Sequence, residues 1–187
     1  MNNHTTSITT NKKHHYRELL SIGFPIIIGQ LGTIILGFAD TLMIGHHSTP
    51  ELAAAGLVNN IFGLVFVSYM GFTYGLTPII GRLYGEERTD CIGQKVRNSF
   101  FANMLTGAIF TAVLILLYLN LAHIGQPEEL LSLIRPYFLV NLASVLFMGI
   151  FFTMKQFLDG IGKTKVAMWA MIGGNVVNIL GNWVLIY

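Results

Sequence analysis

One acid, Asp40, sits inside the membrane-length apolar run 22–45, and three asparagines, Asn175, Asn178 and Asn182, follow at i, i+3 and i+7 in the last apolar run. On a helix that spacing makes one stripe. Carboxylate and carboxamide oxygens are hard ligands of the kind that alkali and alkaline-earth cations accept, so these residues describe a candidate cation site with Asp40 as its charge. A charged side chain within a hydrocarbon-length helix is costly and usually marks an ion or substrate pathway. The rival reading of Asp40 is a helix-end acid reaching headgroup water, and that of the asparagines is interhelical glue at about 0.6 kcal/mol each. Spacing alone leaves glue and site level. Thr33, seven residues before Asp40, shares its face, with Gly37 thinning that face between them. Gln30 lies about 80° away and would face another wall of the same cavity. Asn59, Asn60 and Tyr69 in the second run either line that cavity or are buried hydrogen-bonding residues.

Enzyme chemistry has no candidate residues. Neither a His-Glu-x-x-His pattern nor a Gly-x-Ser-x-Gly elbow occurs. His46 and His47 are adjacent and cannot share a helical face as a zinc pair does, so they read as loop residues. The string Gly160-Ile161-Gly162-Lys163-Thr164 invites a nucleotide-binding reading, but a P-loop needs a glycine five residues before Gly162, where Phe157 stands. The two glycines read instead as a tight turn, with the lysines holding the loop inside. A single cysteine, Cys91, excludes an internal disulfide.

The elements that must position these residues are membrane helices. Hydrophobic residues make up 53% of the 187 and charged residues only 11%, against about 25% charged in a soluble domain. A net charge of +2 with scattered basic residues argues against nucleic acid. Residues 1–16 are polar and read as a disordered cytoplasmic tail, and 17–187 as a transmembrane helical domain. Gaps between charges mark five spans, at 19–45, 52–81, 98–127, 136–154 and 166–187, each near the 20 residues a crossing needs. The second, at 30 uncharged residues, is about 45 Å long and must tilt, kink or protrude. Pro78 offers a bend, and the Gly71 to Gly75 spacing a small-residue face for close helix packing.

Ten of the eleven Lys and Arg residues, Lys155 among them, fall on one side of this arrangement, and only Arg135 on the other. The positive-inside rule then puts the N-terminus inside and 46–51 outside, in a multi-pass protein of the cytoplasmic membrane. Trp169 at the inner end of the fifth span, and Trp183 with Tyr187 at its outer end, suit interfacial belts, the rival for Trp183 being a contact inside the bundle.

In order along the chain, these motifs resemble the multidrug and toxic compound extrusion (MATE) transporters. The resemblance rests on Pro25 and Gln30 with Phe38-Ala39-Asp40-Thr41-Leu42-Met43-Ile44-Gly45, and on Leu52-Ala53-Ala54-Ala55-Gly56-Leu57. It continues through Gly75-Leu76-Thr77-Pro78-Ile79-Ile80 with Tyr84-Gly85, then Gln156-Phe157-Leu158-Asp159-Gly160-Ile161-Gly162-Lys163-Thr164, and ends with Asn175-Val176-Val177-Asn178-Ile179-Leu180-Gly181-Asn182-Trp183. Each motif alone is weak, but five in order are specific.

The resemblance implies an all-α membrane bundle, about five helices of an N-terminal six-helix lobe in a twelve-helix, two-lobe exporter. It implies efflux of amphipathic cationic compounds in exchange for sodium ions or protons, with no further cofactor. The family's cation site carries over to Asp40, Asn178 and Asn182. Asn182 stands where many relatives have Asp and the NorM-type branch has Asn; Asn does not ionise, which leaves Asp40 as the lobe's sole titratable group. A lobe of this length calls for a missing C-terminal half or a second copy to complete transport. The alternatives are a flippase for lipid-linked sugars, which a strongly basic cavity would favour, and an inert truncated fragment.

Overall fold

The computed structural model describes residues 3–186, with side chains described for 16–184 other than 124. Six helices follow in order: α1 (Asn3–His47), α2 (Thr49–Thr73), α3 (Leu76–Gly85), α4 (Thr89–Leu119), α5 (Glu128–Gly160) and α6 (Thr164–Ile186), with a 3-10 turn at Leu121–Ile124. Four continuous stretches are long and apolar enough to cross a membrane: Tyr16–His47, Thr49–Gly85, Thr89–Leu119 and Glu128–Gly160. The fifth, α6, has 23 residues, about 35 Å of helix, and its apolar character is diluted by the three asparagines. The architecture is an all-α polytopic bundle. The polar segment read as a tail differs: α1 already runs from Asn3. Tyr187 lies outside the described residues.

The second span is interrupted just before Pro78. Proline has no N–H to give the carbonyl four residues back and its ring collides with that carbonyl. Four residues before Pro78 is Tyr74, and α2 ends at Thr73, with Tyr74 and Gly75 between it and α3. The expected packing face at Gly71 and Gly75 is not a helix contact. Among the described residues a Cβ on Gly71 would meet nothing within 4 Å, and one on Gly75 only the carbonyl of Phe72, three residues back. The close approach is made instead by Gly160 of α5, where an added Cβ would lie 2.7 Å from Ile80 Cβ and 3.1 Å from Thr77 O on α3.

The α5–α6 turn closes as a Schellman motif. Lys163 N donates to Leu158 O at 2.9 Å and Gly162 N to Asp159 O at 3.1 Å. Gly162 holds φ +74°, which an L side chain resists, so the two glycines of this string have separate reasons: contact for Gly160, backbone for Gly162.

Helix α5 is the hub, touching α2, α3, α4 and α6. The main core joins Val58 and Val65 of α2, Leu114 of α4, and Ile134, Phe138 and Val145 of α5. A buried polar chain pins the same three helices: Tyr69 Oη donates to Asn103 O at 2.6 Å, Asn103 Nδ2 to Thr153 Oγ1 at 2.7 Å, and Thr153 Oγ1 to Gly149 O at 2.7 Å. Helices α1 and α6 form a parallel pair beside this block. Gly29 lies against Met171, Gly32 against Asn175, and Asp40 meets Asn182, so residues advance together along both. Parallel direction is what five alternating crossings give the first and the last. Trp169 and Trp183 are 65% and 62% exposed, with no described helix of this chain packed over either.

Candidate functional site

The parallel pairing of α1 and α6 brings the acid of one helix against the carboxamide stripe of the other. Asn182 Nδ2 donates to Asp40 Oδ1 at 2.7 Å and to Asn178 Oδ1 at 3.0 Å. All three side chains line a cavity of about 490 Å³ between α1, α2, α5 and α6. Asp40 also lines a second cavity of about 480 Å³, together with Thr33 and Asn59. A third, of about 390 Å³, is lined by Gln30, Thr33 and Asn175. Thr33 thus borders two of the hollows, and Gln30 one, on the wall its angular offset implies.

Gln30 Nε2 donates to Tyr74 Oη at 3.3 Å, which ties α1 to the break after α2. Asn59 Oδ1 accepts from Tyr137 Oη at 3.0 Å. Asn60 is exposed and lines none of these three cavities. Tyr69 is fully buried and its hydroxyl is spent on Asn103 O, so of its two readings the packing one applies. His47 Nδ1 lies 2.9 Å from Glu51 Oε2, a hydrogen bond across the α1–α2 turn.

Four residues that sequence reasoning passed over also line these hollows. Asn141 and Ser144 of α5, three apart in an apolar run, border the cavities beside Asp40. Glu51, read as a span boundary, lines the same cavity as Asp40. Lys155 was read as a loop charge on the inner side, yet α5 continues to Gly160 and buries it: Lys155 Nζ donates to Asp159 Oδ2 at 2.8 Å with both side chains about 95% buried. Asp40 is therefore not the sole titratable group inside the bundle. The signal in sequence was the i, i+4 spacing of a lysine and an aspartate just beyond an apolar run.

No cluster of three His, Cys, Asp or Glu side chains able to hold a metal ion occurs among the described residues. The Asp40 cluster offers one carboxylate and carboxamide oxygens, hard donors that suit alkali and alkaline-earth cations better than zinc or iron. A multi-pass helical bundle with hard-oxygen groups on the wall of an internal cavity has the make-up of a membrane transporter.

Comparison with known proteins agrees. A model of the MatE family matches residues 25–184. The probable multidrug resistance protein NorM of Bacillus subtilis is 30% identical over 96% of this chain, and that of Photorhabdus laumondii 29% over 91%. The multidrug resistance protein MdtK of Klebsiella pneumoniae is 29% identical over 91%. The chain belongs to the MatE family, whose members are secondary transporters and not enzymes. It spans about 38 to 40% of the length of these relatives. No solved structure matches it.

Proposed function

We propose that this chain supplies the cation-binding lobe of an exporter that moves amphipathic cationic compounds out across the cytoplasmic membrane in exchange for sodium ions or protons. The observation that carries the reading is the placement of Asn182 Nδ2 between Asp40 Oδ1 and Asn178 Oδ1. An amide NH2 in that place offers both oxygens positive hydrogens, as a small cation would. A sodium ion entering there displaces the NH2, and the Asn182 carboxamide turns over to present Oδ1. A proton takes the same place more simply, on Asp40 itself. Either way the bond between α1 and α6 is exchanged for a bond to the ion. Coupling then follows from a difference in ion affinity between the arrangements of α1 and α6 open to the two sides. The distribution of basic residues supports an N-terminus inside by the positive-inside rule, and a second lobe or second copy would complete the pathway.

The flippase alternative receives no support from the cavities. Among the described residues Lys155 is the one cation lining the three hollows, and Asp159 neutralises it.

Trp183, next to Asn182, provides the test. In a Trp169→Phe background, the chain in lipid nanodiscs is titrated with sodium chloride against choline chloride while Trp183 fluorescence is followed. A saturable, sodium-specific change that Asp40→Asn abolishes is expected. An identical response in Asp40→Asn would overturn the reading.

A further inference from the structure

Glu51 lines the same hollow as Asp40, Asn178 and Asn182, and among the described residues no Lys, Arg or His lines it. Ile44, one turn of α1 beyond Asp40, belongs to that wall too, and His47 at the end of α1 hydrogen-bonds Glu51 at 2.9 Å. Seven residues of α1 separate Asp40 from His47, about 10 Å of helix rise. The hollow therefore carries one acid beside the asparagine pair and a second about two turns further along. The Glu51 side chain is 41% exposed, so the hollow reaches water at this end, the one that the positive-inside rule puts outside. Glu51 follows Ser48 at the spacing of a capping box, in which the acid reaches back to the serine N–H. That bond is not made here. Ser48 Oγ accepts from Glu51 N at 3.4 Å, but Ser48 N donates to Ile44 O at 3.0 Å. The carboxylate is thus released from the cap, with Oε2 at His47 and Oε1 accepting from no group among the described residues. On the α5 wall, Asn141 donates through Nδ2 to Tyr137 O at 2.9 Å, and its Oδ1 likewise accepts from none of them.

We propose that Glu51 is the capture residue at the mouth of this hollow, taking a sodium ion from outer water and passing it along the Asn141 carboxamide to Asp40. The inference rests on the export reading above and adds its entry step. A cleft lined by charge of one sign focuses the field and raises the local concentration of counter-ions. Here the lining offers carboxylate and carboxamide oxygens from the mouth to Asp40, hard donors that replace the waters an alkali cation sheds on entering. A neutral His47 donating to Oε2 leaves the carboxylate its charge and leaves Oε1 to the ion.

Temperature-jump relaxation of Trp183 fluorescence, in the Trp169→Phe chain in nanodiscs with sodium chloride, reads the association rate of the ion. Glu51→Gln keeps an acceptor for His47 and removes only the charge, so it should slow association about fivefold in dilute salt. Choline chloride raised from about 0.01 M to about 1 M cuts the screening length from about 30 Å to about 3 Å, and the deficit should vanish. Glu51→Asp should restore the parent rate. A merely structural part for Glu51 in the first turn of α2 would show no such salt dependence. An unchanged rate in Glu51→Gln, a deficit that salt does not remove, or one that Glu51→Asp shares overturns the capture role. Asp40→Asn distinguishes the two claims, because it should abolish the sodium-dependent relaxation. If Asp40→Asn relaxes as the parent does, the export reading fails. If it abolishes the relaxation while Glu51→Gln matches the parent at every salt concentration, the capture role alone fails.

Discussion

Asn182 donates from one nitrogen to two oxygens, so replacing it by an acid changes both the charge and the partner of Asp40. Asn182→Asp would set two carboxylates within hydrogen-bond distance, and acids that close retain a proton between them. The variant's sodium response, read from Trp183 fluorescence, should then be more acid-sensitive than the parent's. Lowering the pH loads the shared proton and displaces sodium, by about tenfold in apparent affinity per pH unit where one proton competes. An unchanged pH profile would show that residue 182 does not share a site with Asp40. The spacing of Asn175, Asn178 and Asn182 was legible in sequence, but their roles diverge. Asn178 and Asn182 meet Asp40 around one cavity, whereas Asn175 lies one turn lower, beside Gly32 and the hollow of Gln30. Periodicity places residues on a face, and the neighbouring helix decides what each position of that face touches.

Among the elements, the broken second span shows how far local chemistry reaches. Pro78 removes one backbone hydrogen bond and crowds the Tyr74 carbonyl, and the helix is interrupted at Tyr74 and Gly75, whereas Pro25 and Pro136 lie inside the unbroken α1 and α5. Glycine is no more explicit, because its two uses, close contact and left-handed backbone, look alike in sequence. Gly160→Ala would drive a methyl group against Ile80 and the Thr77 carbonyl, and overpacking of this kind costs about 1–3 kcal/mol. Gly71→Ala meets open space and adds helix propensity, so it should leave stability equal or slightly raised. Thermal unfolding of both variants in the same detergent checks the contrast. Equal melting temperatures would mean that α3 and α5 do not meet at Gly160. The exposed α3–α4 turn carries the Arg82–Glu86 pair at 2.8 Å, whose hydrogen bond and charge hold the Glu86 carboxyl below its usual range. That small contribution is present at neutral pH and is lost as pH falls through the carboxylate range.

Across the whole molecule, α2, α4 and α5 share the main buried core and α3 forms a second one with α4, while α1 and α6 stand beside this block with hollows between. The orientation proposed from the basic residues is testable with Cys91, the chain's single cysteine, which lies in the first turns of α4 among the inner-side charges. In whole cells a membrane-impermeant maleimide should leave Cys91 unlabelled, and permeabilised cells should label it. Labelling from outside would invert the topology.

Composition and the gaps between charges determined the all-α membrane bundle, because a crossing helix must be long, apolar and free of solvated charge. Motif order likewise pointed to the family. Tertiary structure alone decided which polar residues meet a cavity and which are consumed in packing. Tyr69 and Asn59 are both polar and ten residues apart on α2, yet one is sealed against α4 and α5 while the other borders the hollow of Asp40. It also decided that Lys155 is a buried partner of Asp159 rather than a loop charge, and that Gln156 keeps an unused donor. The reason is physical: in a bundle whose helices are apolar nearly all round, no helix's own pattern says which neighbour covers which face. That is set by where Gly160 lets α3 approach α5 and where Gly29 and Gly32 let α6 approach α1.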